Sequence, residues 1–318
     1  MIFFYYELGK KKGFGHQSRC MAINQRLKKI GMKTYYLNLG NKKIENKNFG
    51  KNVFYRKDLN KIINFKKILI IDSYNINQKK INFYKKYFKY IFLINDVPVK
   101  NIKVYGIINP NNGNKLKDYN QEVTKLFLGI KYKFIRDFKL PEIKKESGIT
   151  ISFGAGNVYK RVKKYLLTIL KFLNKINFKE EINIFIDFNK KEKRELLKHS
   201  KIKITINNIS QKFINRAHSS KFVISSMGLQ FDELCKLKKP SFFLKIAENQ
   251  SFNYNISKKY NCQTTHDLEN YNEKKIIHSL KLLMEKSQRY KIVQNYSKFI
   301  LGNNIDEVIN YFNKLIKN

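Results

Sequence analysis

Short apolar runs of strand length recur along the chain, separated by longer lysine-rich stretches in which apolar residues return every three or four positions. "IFFYY", "KTYYLNL", "ILIID", "YIFLIND", "GITISFG", "INIFID", "IKITINN", "KFVISS" and "PSFFLKI" form the first class; "SRCMAINQRLKKIG" and "VKKYLLTILKFLNKI" represent the second. Continuous apolar runs are the mark of strands buried on both faces, and their alternation with amphipathic helices predicts parallel sheets with helical crossovers, an α/β architecture. The alternation breaks at "RDFKLPEIKKESG", residues 136–148, and restarts with "ITISFGAG" much as "IFFYYELG" opens the chain. Two Rossmann-like halves are therefore expected, residues 1–140 and 141–318, the last stretch forming terminal helices that pack back on the first half.

Composition changes this picture little. At 318 residues and 42% hydrophobic the chain has enough apolar surface for two cores. The net charge of +41 would suggest a phosphate-rich partner. Its lysines, however, are spread from end to end, arginine is scarce, and asparagine and isoleucine are abundant, the pattern AT-rich codons leave on any solvated surface. Nucleic-acid readers favour the arginine fork, so no nucleic-acid partner is expected. Cys20, Cys235 and Cys262 are odd in number and lack a CxxC spacing, which predicts reduced thiols in a cytoplasmic protein and no zinc site. No apolar run approaches the roughly 18 residues of a membrane span, so membrane contact is expected to be peripheral at most.

Chemistry gathers where glycines follow strands, since open parallel sheets bind ligands at the carboxyl ends of their strands and helix N-termini present free amides there. In "GFGHQSR", Gly13 and Gly15 permit a tight turn and His16 opens the following helix, a position that favours a neutral ring able to accept a proton. The same position would also suit a histidine that merely caps its helix. "ILIIDSYN" sets Asp72 and Tyr74 past a strand; an acid there commonly caps the next helix, and a phenol can line a sugar site. "SFGAGN" brings Gly154 and Asn157 to a strand-to-helix turn without the GK[ST] of a Walker loop. "SSMGLQFDE" offers Ser225, Ser226 and Gly228 to a diphosphate and Glu233 to a ribose diol, and "ENQ" places Asn249 and Gln250 after the next strand.

In order, "GFGHQSRCMAI", "LIIDSY", "IND", "LGIKYKFIRDF", "SFGAGN" and "ISSMGLQFDELCKLKKPSFFLKIAENQ" resemble the UDP-sugar hydrolase family of pseudaminic acid biosynthesis, relatives of the MurG-type glycosyltransferases. The resemblance spans most of residues 1–255. It implies a GT-B-like fold, two Rossmann-like domains facing each other across a cleft. It also implies hydrolysis of a UDP-linked 2,4-diacetamido-trideoxyhexose to UDP and free sugar, without metal or cofactor, on the way to nonulosonic acids of surface glycans. His16 and Asn249 match the family's essential histidine and asparagine. Gly13, Gly15, Arg19, Asp72 and Tyr74 fall on the N-terminal side; Gly154, Asn157, Ser226, Gly228, Glu233 and Gln250 fall on the nucleotide side. The chain departs from the family where Gly154-Ala155-Gly156-Asn157 replaces a glycine pair followed by aspartate. A monomer is expected. A GT-B glycosyltransferase that passes a UDP-amino sugar to a surface-glycan or lipid acceptor would use the same nucleotide site.

Overall fold

The computed structural model describes residues 1–6, 15–39, 49, 52–62, 67–111, 116–143, 145–154, 158–198, 201–207, 212–260, 262–299 and 304–317. Gly13 and Asn157 lie outside the described residues. The chain forms two compact units, residues 1–8, 15–137 and 301–318 in the first and residues 9–14 and 138–300 in the second.

In the first unit the strands are β1 (Ile2–Tyr6), β2 (Thr34–Asn38), β3 (Val53–Tyr55), β4 (Ile68–Asp72), β5 (Tyr90–Ile94), β6 (Gly106–Asn109) and β7 (Lys125–Leu128), with α1 (Gly15–Lys29) after β1 and α2 (Gln78–Lys85) after β4. All pairings are parallel, in the order β3-β2-β1-β4-β5-β6-β7. The order reverses between β1 and β4, which lie in register with Tyr6 opposite Asp72. Both faces of the sheet are covered: Ile2, Phe4 and Tyr6 point to one core and Phe3 to the other.

The second unit contains β8 (Ile149–Ser152), α3 (Tyr159–Lys175), β9 (Ile182–Phe185), α4 (Lys190–Lys198), β10 (Ile204–Asn207), α5 (Lys212–Ser219), β11 (Phe222–Ser226), α6 (Leu229–Lys236), β12 (Ser241–Lys245), α7 (Ser251–Lys259), β13 (Thr265–Asp267), α8 (Glu273–Met284) and α9 (Lys286–Gln294). Its parallel order, β10-β9-β8-β11-β12-β13, reverses between β8 and β11. The strands absent from the sequence reading are β3, β6, β7 and β13. They have three or four residues, as do β8, β9 and β10, which the sequence reading did find, so length alone does not separate them; β13, "THD", has no apolar residue at all.

The chain then returns to the first unit as α10 (Ile305–Lys317). Ile305, Val308, Ile309 and Phe312 make one helical stripe, all buried in the core of β1, β4 and β5. Phe312 meets Phe92 edge-on at 4.7 Å between ring centroids. Space for Phe92 comes from Gly106 on the neighbouring strand, where an added Cβ would sit 2.3 Å from the Phe92 ring. Phe312→Ala is expected to cost about 3–5 kcal/mol, read as a lowered urea midpoint for the first unit. Among the described residues no helix is long and apolar enough to cross a membrane.

The second unit carries a pH-sensitive group in its core. His266 stacks on Phe242 at 4.4 Å and its Nε2 lies 2.9 Å from the Ser279 hydroxyl, which itself donates to the Gln263 carbonyl. The hydroxyl has one proton, so the imidazole must be the donor in the first of these bonds. Burial, with the charges of Lys258 and Lys275, pushes His266 down to about 4 from its ordinary 6.5. The unfolded chain therefore binds a proton that the folded chain refuses between those values. Stability is expected to be full above pH 6.5 and to fall by roughly 3 kcal/mol toward pH 4. His266→Phe should flatten that part of the stability–pH curve measured by chemical denaturation.

Candidate functional site

Each reversal of strand order leaves a crevice at the carboxyl edge of its sheet, because the helices after the two adjacent strands leave on opposite sides. In the first unit that crevice lies at the ends of β1 and β4, and it gathers His16, Arg19, Asp72 and Tyr74. Asp72 is the last residue of β4 and fully buried; His16 is the second residue of α1 and 4% exposed. The His16 Nδ1 lies 2.6 Å from Asp72 Oδ1. Arg19, one turn further along α1, donates from Nε to Asp72 Oδ2 and from Nη2 to Oδ1, both at 2.8 Å.

The ionisation of these groups follows from their packing. Burial alone would push the Asp72 carboxyl up, but the Arg19 charge and the hydrogen bonds from His16 and Arg19 outweigh it and hold it below the usual carboxylate range. For Arg19, burial works against the charge, and Asp72 with Asp96 more than compensates, so it binds its proton more tightly than an ordinary arginine. An ionised carboxylate only accepts, so Nδ1 carries a proton, and in the neutral form of the ring the lone pair is on Nε2. The 3.1 Å approach of Arg19 Nη2 to Nδ1 is then two donors converging on one oxygen. Among the described residues no hydrogen bond engages Nε2. A histidine oriented by a buried carboxylate, its second nitrogen without a hydrogen bond among the described residues, is an arrangement suited to a general base.

Asp72 therefore does not cap the following helix. Asn77 does so, accepting from the Lys80 amide. Gly15 is the first residue of α1, and among the described residues an added Cβ there would meet nothing within 4 Å.

The structure adds Asp96, which the sequence reading quoted in "IND" but gave no role. Both of its carboxylate oxygens accept from Arg19 Nη1 at 2.8 Å, and Oδ2 also accepts from the Tyr74 hydroxyl at 2.5 Å. Tyr74 is half exposed and stands edge-on to the His16 ring at 4.7 Å. The available signal was that "YIFLIND" ends in an acid just as "ILIID" does, on the adjacent strand.

The second unit has its own crevice, at the ends of β8 and β11. Gly154 adopts φ +87°, a conformation open to glycine, and an added Cβ would lie 3.8 Å from the Ser226 hydroxyl. Ser225 donates to Gln230 Oε1, and Gln230 Nε2 donates to the Ser152 hydroxyl, tying the two strand ends together. Gly228 is the N-cap of α6, and Glu233 is buried within that helix. Gln250 accepts from the backbone amides of Met227 and Ile246, so its carbonyl shapes the turn after β11 instead of facing solvent. Asn249, beside it on a short 3-10 turn, is exposed. Among the described residues no group of three or more His, Cys, Asp or Glu is placed to hold a metal ion.

No protein-family model matches the chain, and no curated protein does. Solved structures do. Acinetobacter baumannii MurG matches with TM-score 0.66 and 10% identity, over 98% of this chain and 99% of that one. The UDP-GlcNAc 2-epimerase of Neisseria meningitidis, bound to UDP-GlcNAc, matches with TM-score 0.57 and 12% identity over 100% of both chains. WaaG, a glycosyltransferase involved in lipopolysaccharide biosynthesis, matches with TM-score 0.54 and 9% identity, over 98% of this chain and 99% of that one. The chain has the GT-B fold of such enzymes: two parallel-sheet Rossmann-like halves.

Proposed function

We propose that the chain is a nucleotide-sugar hydrolase that cleaves a UDP-linked 2,4-diacetamido-trideoxyhexose, with water as acceptor, to UDP and free sugar. The observation that carries the reading is the His16–Asp72 pair at the strand-order reversal, its Nε2 free of protein partners among the described residues. The sugar and the nucleotide rest on the ordered motif resemblance, and the GT-B fold supports the nucleotide-sugar class.

In this mechanism a water oxygen attacks the anomeric carbon, the bond from that carbon to the diphosphate oxygen breaks, and UDP leaves with the electron pair. His16 Nε2 takes the water proton, and Asp72 steadies the imidazolium as it forms. UDP is a good leaving group, so charge stabilisation and placement of the water supply most of the rate. The amides at Gly154, Asn157, Ser226 and Gly228 are assigned to the diphosphate, Glu233 to the ribose, and Asn249 to the sugar or the water. Arg19 and Gln250 position these groups.

A second reading, transfer of the sugar to an acceptor hydroxyl, is favoured by the match to MurG and WaaG, and the same base would serve it. Product analysis separates them: incubation with the UDP-sugar in ¹⁸O-labelled water and no acceptor is expected to yield UDP and free sugar labelled at the anomeric oxygen. No free sugar without an added acceptor would overturn hydrolysis in favour of transfer. Cleavage is expected to persist in excess chelator, and loss of activity restored by a divalent ion would refute the metal-free mechanism.

A further inference from the structure

Arg19 is held between two carboxylates, and only one of them touches His16. Asp96 follows β5 and forms no hydrogen bond with the imidazole among the described residues, yet it accepts three hydrogen bonds from the site, two from Arg19 and one from Tyr74. Its own placement is built on both sides. Asn95 accepts from the Asp96 amide at 2.9 Å, and Asn111 donates to the Asp96 carbonyl at 2.5 Å.

The electrostatic consequence follows from counting charges. Around the imidazole stand Arg19 on its own helix, Asp72 at the end of β4, Tyr74 after it, and Asp96 behind the guanidinium, with the buried thiol of Cys20 nearby. One cation faces two anions. Were Arg19 paired with Asp72 alone, the two charges would cancel and Asp72 would be a weak acceptor for the Nδ1 proton. Sharing the guanidinium leaves a net negative charge beside the ring, in surroundings where burial makes each charge count.

We propose that Asp96 is a positioning residue of this site: by sharing Arg19 it keeps Asp72 a strong acceptor for His16, and by holding the Tyr74 hydroxyl it sets the ring wall beside the imidazole. The effect on turnover rests on His16 acting as base in nucleotide-sugar cleavage; the effect on the His16–Asp72 bond does not.

Asp96→Asn keeps the size of the side chain and removes its charge. Two measurements test it. The Nδ1 proton of His16, assigned by its loss in His16→Ala, should resonate far downfield in the wild type and move upfield in Asp96→Asn. With the UDP-sugar, kcat should fall on the order of tenfold, a fraction of what a general base contributes, with KM within about threefold. Asp96→Glu, which keeps the charge, should leave the proton signal in place and recover most of kcat. An unmoved signal in a folded Asp96→Asn protein overturns the proposal, as does an Asp96→Glu protein whose signal moves as far as that of Asp96→Asn. If the wild type cleaves no UDP-sugar, the hydrolase reading fails while the proton signal still decides the role of Asp96.

Discussion

His16→Ala is expected to lower UDP-sugar cleavage by about three orders of magnitude with little change in stability. The size follows from what a positioned base contributes, roughly 10²–10⁴-fold, together with the loss of the group that the buried Asp72 orients. Stability should change little because Asp72 keeps both bonds from Arg19, so no charge is left unpaired. Single-turnover kinetics with the UDP-sugar, beside thermal unfolding of the same sample, makes the measurement. A variant that cleaves at the wild-type rate would remove His16 from the chemistry. His16→Gln is the sharper control: it fills part of the space and can hydrogen-bond Asp72, but has no nitrogen that accepts a proton at neutral pH.

Arg19→Ala should do the reverse, with stability as the larger effect. The guanidinium is 13% exposed and lies 2.8 Å from both Asp72 and Asp96. Removing it leaves a fully buried carboxylate with the His16 hydrogen bond but no compensating cation, a loss that typically costs about 3–5 kcal/mol. The cost should depend on pH with a definite sign. In the wild type the Asp72 carboxyl is held low, so its contribution is present above the ordinary carboxylate range and is lost as pH falls through its depressed value. In the variant only the His16 hydrogen bond still opposes burial, and the same carboxyl rises. The deficit is then full at neutral pH and shrinks as acid protonates Asp72. Chemical denaturation at pH 7 and at pH 4.5 should show the gap between the two proteins narrowing. A gap independent of pH would mean that the loss comes from packing of the arginine stem and not from the stranded charge. Arg19→Lys keeps the charge without the fork and should recover part of the stability but little of the geometry.

The sequence carried the architecture well because a buried parallel strand must be apolar on both faces. β1, β4, β5, β8, β11 and β12 all show that run, and each lies in a sheet. Of the positions the sequence singled out, His16 falls in the helix that follows β1, and Gly154 and Gly228 fall just past β8 and β11. The capping alternative for Asp72 fails, while its place among the site residues stands as an expectation; an acid just past a strand and before a helix has the same surroundings in sequence whether it caps that helix or serves a distant residue. Asp96 received no role because its partners, Arg19 and Tyr74, lie 77 and 22 positions away in sequence. The sequence did not show that the Gln250 carbonyl is engaged by two backbone amides, from Met227 and Ile246, because only the second is close in sequence.

The residues by themselves thus determined the α/β alternation, the division into two halves and the position of a histidine at a helix start, all of which depend on neighbours within one turn or one strand. Tertiary structure alone decided that β1 lies beside β4 and β4 beside β5. Those two adjacencies bring Asp72 to His16 across 56 positions and Asp96 to Arg19 across 77. Strand order is set by how whole helices and sheet faces bury one another, and no local period records it. The charge balance around the imidazole is therefore a property of the sheet and not of any motif.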